Sequence, residues 1–97
     1  MRAIHLTDLN LAVRTLLAVP MRDQVALMKR LLVMARTADK FRKRIGRVHL
    51  VFGNGSLGAA CQRFPKVPMP DRCDHTYLDC LQIVVTELRN HATNEIL

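Results

Sequence analysis

Tryptophan is absent from the 97 residues and aromatics make up only 4%. No apolar run approaches the roughly 18 residues that a membrane helix needs; stretches such as Leu31 to Ala35 are far shorter. A spanning helix is thereby excluded, and the core has to be aliphatic, filled by Leu, Val, Ile, Ala and five Met. Acidic residues are scarce: eight Asp+Glu stand against fifteen Lys+Arg, a formal net charge of +7. Cysteines number three, at positions 61, 73 and 80, and an odd count does not suit a disulfide framework. Asp8 falls where the apolar region of a signal peptide would still be running, so a cleaved export signal is not expected. The cysteines therefore read as thiols in a reducing cytoplasm.

Length leaves room for one domain, residues 1–97, because two halves of this size could not each bury a core without staples. With 49% hydrophobic and 24% charged residues the chain has the composition of a packed domain rather than a disordered one. Leu9, Ala12, Val13, Leu16 and Leu17 recur at helical spacing, which predicts a first helix with Thr7 as its N-cap and Pro20 closing it. Pro20 also suits the first position of the next helix, where its missing N–H is not needed. That second helix is predicted from Met21 to Ile45, stopped by Gly46. Its apolar arc holds Leu27, Met28, Leu31, Leu32, Met34, Ala35, Ala38, Phe41 and Ile45. Arg42 falls inside that arc, so either the helix bends or the guanidinium has a buried partner; a bend before Gly46 is the simpler reading.

Residues 46–56 are the least helical stretch. Val48 to Phe52 could form one short strand or a loop, and Ala3 to Leu6 is the only segment that could pair with it. Ser56 is expected to cap a third helix over Leu57 to Phe64, ended by Pro65, after which the prolines make an ordered linker. A fourth helix, capped by Asp74 or Thr76, places Tyr77, Leu81, Val84 and Leu88 on one face with Val85 and Ala92 beside them, and leaves Ile83 off it. The fold expected is a small all-α bundle of about four helices, with one long central helix and a glycine-containing loop.

Charge is concentrated. Residues 1–48 carry +8 and residues 49–97 carry −1, and positions 36–47 alone contain six basic residues and one Asp. On the second helix Arg22, Lys29, Arg36, Lys40, Lys43 and Arg44 gather opposite the apolar arc, with Val33 among them. Such a stripe could contact the phosphates of a nucleic acid or an acidic protein partner, although charge on the outside of an amphipathic helix usually means a solvated face. Arg36, Lys40, Lys43, Arg44 and Arg47 are the candidate contacts. No aromatic residue stands beside them to stack on bases, and the third helix offers only Gln62 and Arg63 to a groove.

Gly53-Asn54-Gly55-Ser56-Leu57-Gly58 is a literal G-x-G-x-x-G after a β-like run. A dinucleotide fold would need a second parallel strand about 30 residues on, and Pro65, Pro68 and Pro70 occupy that path. A tight loop and a capped helix explain the glycines, with a milder reading in which Gly53, Gly55 and Ser56 hold a phosphate or carboxylate on free N–H groups. Ser56 fails as a nucleophile elbow because position 54 is Asn. Cys61, Cys73, His75 and Cys80 do not have the paired spacing of a zinc site, so buried or inert thiols are expected and no metal or other cofactor is implied. The four histidines are scattered, with His49 beside Arg47 the one nearest a possible site. No residue passes as catalytic, so an enzyme is not expected.

His5-Leu-Thr-Asp-Leu9, Leu16-Leu-Ala-Val-Pro20, Ala38-Asp39 with Arg44-x-Gly46-Arg47-x-His49, and Gly53-x-Gly55-Ser56-Leu57 together resemble a family of short, uncharacterised alphaproteobacterial proteins. The resemblance covers the first two thirds of the chain. It implies a bacterial cytoplasmic protein of unknown function and carries no catalytic residue across. The expected role is a non-enzymatic protein-interaction module with an unidentified protein partner; the alternative is a DNA- or RNA-binding protein using the stripe. A small core rich in Met is also compatible with a homodimer.

Overall fold

The computed structural model describes residues 2–47, 53–71 and 74–96. Its helices are α1 (Leu6–Leu17), α2 (Met21–Ile45), α3 (Leu57–Cys61) and α4 (His75–Ile96), and no strand occurs among the described residues: a small all-α bundle. The pairing partner considered for Ala3 to Leu6, the run Val48 to Phe52, lies outside those residues, as do His49 and Cys73.

The helix α1 starts earlier than Thr7 allows, with His5 as its N-cap. The cause is Asp8, whose Oδ2 accepts the His5 N–H at 2.9 Å and so satisfies a donor at the helix entrance. Pro20 is the N-cap of α2 rather than its first helical residue, because its extended ψ of 149° places its carbonyl to accept from Asp23 N at 2.9 Å. Gln24 closes the same corner, donating through Nε2 to Leu16 O at 3.1 Å. At the far end Gly46 adopts φ 79°, the left-handed stop expected of glycine.

The third helix is one turn rather than two. Ser56 caps it as expected, its Oγ accepting from Ala59 N at 3.1 Å, but the helix ends at Cys61 and Phe64 N turns back onto Cys61 O. The proline segment then lies along α1: Arg14 Nε donates to Val67 O at 2.8 Å, and Val67 N to Arg14 O at 3.3 Å. Asp74 caps α4, taking the Thr76 N–H at 2.8 Å as well as the Thr76 hydroxyl.

Leu16, Val13, Met28, Leu31, Leu57, Cys61 and Val84 are fully buried at the centre. Each of α1 and α2 packs against both α3 and α4. The apolar arc of α2 is as expected except at its tip, where Ile45 is 54% exposed among the exposed residues Lys43 to Arg47. Along α4 the face centres on Tyr77, Cys80 and Val84, so Ile83 is half-buried while Val85 and Ala92 are exposed, a rotation from the sequence expectation.

Candidate functional site

Each glycine of the G-x-G-x-x-G string has a partner within the chain. Gly53 and Gly55 have φ of 88° and 96°. A Cβ on Gly53 would lie 2.7 Å from that of Ala59, and one on Gly55 would lie 2.7 Å from both the Cα and Cβ of Asp39. A Cβ on Gly58 would come within 2.6 Å of Asp8 Oδ1. Glycine at 55 and 58 thus lets the loop settle directly onto two buried aspartates, Asp8 on α1 and Asp39 on α2.

Three donors of the loop and of the first turn of α3 are bonded within the chain. Gly58 N donates to Asp8 Oδ1 at 3.0 Å, Ala59 N to Ser56 Oγ at 3.1 Å, and Ser56 N to Asn54 Oδ1 at 3.0 Å. Gly55 accepts instead, its carbonyl taking Arg2 N–H at 3.1 Å. The carboxylate held at the start of α3 is therefore the chain's own, fifty residues away in sequence. With α3 only five residues long, nothing here supports Gly53, Gly55 and Ser56 as a ligand site.

Asp39 does a second thing. Lys43 Nζ lies 3.0 Å from its Oδ2 and Arg42 Nη2 lies 3.3 Å from its Oδ1. Arg42 thus has a buried partner, and the bend offered to explain it is not needed. Burial alone would raise the Asp39 carboxyl, but the hydrogen bond from Lys43, then the positive charge of the chain's N-terminal amine, and last the hydrogen bond from Arg42 outweigh it and hold the pKa at about 2 against an ordinary 3.8. A folded-state pKa below the unfolded value means that this contribution to stability is complete above about pH 4 and is lost as the pH falls toward 2. Thermal unfolding followed by circular dichroism should show the melting temperature dropping in that window, and Asp39→Asn should flatten the drop.

Around this buried acid stand the candidate contacts. Arg36, Lys40, Lys43, Arg44 and Arg47 are all exposed, at the end of α2 and just past Gly46. Along the outer line of α2 the same face continues through Val33, 61% exposed, to Lys29 and Arg22. Arg30 is drawn aside, its guanidinium 5.5 Å from the centre of the Phe64 ring.

Cys61 and Cys80 are packed into the core. Cys61 and Cys80 are buried free thiols, and burial pushes Cys61 up to about 11 and Cys80 upward as well, away from the thiolate a nucleophile or metal ligand needs. No group of three metal-ligating side chains is found among the described residues. Two adjoining clefts, of about 580 and 240 Å³, share Asp79, Gln82 and Ile83 and form a groove between the start of α2 and α4. On the other flank of α4 an apolar cleft of about 450 Å³ lies between Ile4, Leu9, Val85 and Leu88.

The molecule is thus a small all-α protein whose glycine loop is internal architecture and whose outer α2 face is cationic. It belongs to the family described as a domain of unknown function (DUF7742), whose model matches residues 2–88. That span includes both aspartates, the glycine loop and the cationic end of α2. No curated protein and no solved structure matches the chain. No helix among the described residues is long and apolar enough to cross a membrane.

Proposed function

We propose that this protein is a non-enzymatic helical interaction module that takes an acidic protein segment on the cationic end of α2, in the bacterial cytoplasm. The observation that carries the reading is the arrangement around Asp39. A buried carboxylate anchors Lys43 and Arg42 from beneath, so part of the cationic surface is ordered before any partner arrives, which lowers the cost of binding. Val33, exposed with Lys29, Arg30, Arg36 and Thr37 as its helical neighbours, adds an apolar contact in the middle of the charge. A segment alternating Glu with aliphatic residues complements both.

Nucleic acid is the rival partner for the same cations. A duplex gains little from an exposed valine, and α3, with Leu57, Gly58, Ala60 and Cys61 buried, has no face to lay in a groove. Fluorescence anisotropy with a Glu- and Leu-rich helical peptide and, separately, a duplex DNA distinguishes them. The peptide is expected to bind, and Lys40→Glu/Lys43→Glu/Arg44→Glu together should weaken it by about tenfold or more, with strong salt dependence. Binding of the duplex in preference to the peptide would replace this reading with the nucleic-acid one.

A further inference from the structure

We propose that the groove between α2 and α4 is where two copies of this chain meet. Apolar side chains stand open in it between Gln24, Thr76, Gln82 and Thr86: Met21 is 76% exposed, Val25 is 40% exposed, and Ile83 faces them from α4. Aliphatic surface grouped in this way, unlike a single exposed side chain, marks an interaction site.

The two helices that flank the groove carry opposite charge beside it. Asp79 and Glu87 line it from α4. On α2, Arg22 precedes Val25 by three residues and Lys29 follows it by four, so both share its side of the helix. Among the described residues none of these four charges has an ion-pair partner in its own chain.

Apolar side chains flanked by one acidic and one basic bank make a surface complementary to itself. A twofold axis running along the groove sets the acidic bank of each copy against the basic bank of the other; a twofold axis across the groove would set like against like. The pairing removes Met21, Val25 and Ile83 from water in both copies. Arg44 lies nineteen residues beyond Val25, about 28 Å along the helix, so Lys40, Lys43 and Arg44 stay clear of the contact, Lys29 beside Val33 being the residue the two surfaces share, and a dimer presents two cationic ends. The inference therefore stands whether or not those ends bind an acidic segment.

Sedimentation velocity on the full chain at about 1 mM, where even a millimolar Kd populates the dimer, tests it. The wild-type chain should show a weight-average mass clearly above that of one chain, rising toward twice it with concentration. Asp79→Lys/Glu87→Lys and Arg22→Glu/Lys29→Glu should each be monomeric, and an equimolar mixture of the two should pair again. A monomeric wild type, a dimer that survives both reversals, or a mixture that stays monomeric overturns the proposal. Should a reversed chain lose its helical circular dichroism, Met21→Glu takes its place, and a dimer that survives that change overturns the proposal too.

Discussion

Replacing Asp8 by alanine is expected to destabilise the protein by about 3 kcal/mol. One carboxylate serves two donors, Oδ2 taking His5 N–H at the entrance of α1 and Oδ1 taking Gly58 N–H in the first turn of α3. The Gly58 donor is buried, so its loss of a partner costs about 1–3 kcal/mol, and loss of the helix-entrance bond adds about 1 kcal/mol more. Urea unfolding at neutral pH measures the sum. Asp8→Asn should fall between, because the amide keeps one acceptor and turns its NH₂ toward the other donor. A loss under about 1 kcal/mol for the alanine variant would mean that the loop is held by apolar packing alone.

The second large effect is expected at Gly55. Alanine there must adopt φ near 96° and place its Cβ 2.7 Å from the Asp39 Cα and Cβ. Both atoms are fixed parts of a helix, so no side-chain rotation relieves the clash, and strain with overpacking should cost about 3 kcal/mol. Gly46 supplies the control. Its φ of 79° is similar but nothing lies within 4 Å of its added Cβ, so Gly46→Ala should cost only the conformational part, about 1 kcal/mol. Equal losses at the two positions would show that Gly55 is needed for its dihedral angle and not for closeness to α2.

Local patterns were enough for most of the fold. The apolar spacing placed α2 from Met21 to Ile45, and Ser56 announced α3, because a helix face and a cap are both decided within a few residues. The length of α3 was not legible, since its end depends on where Phe64 packs under Arg30. Nor was the start of α1: Thr7 is the better cap by residue type, and His5 took the position because Asp8 could satisfy it while also reaching α3. The basic surface was readable because one helix carries it. What the glycine loop touches was not, since its two aspartates arrive from other helices. One signal was available: Asp39 and Arg42 both stand off the basic stripe at a spacing of three, the geometry of a helical ion pair.

The double engagement of Asp39 has an energetic corollary for binding. The residue that seats Gly55 also anchors Lys43, so an acidic partner meets that ammonium already placed and shares it with Asp39. Whatever the partner's charge does to the shared ammonium is felt by the hold on a carboxylate in the protein interior. By reciprocity, any change that weakens the seating of the loop on α2 alters affinity at the cationic end by the same amount as binding alters the loop. A site on the outside of one helix and a turn on its inner side are in this way thermodynamically one system, joined through a single buried carboxylate.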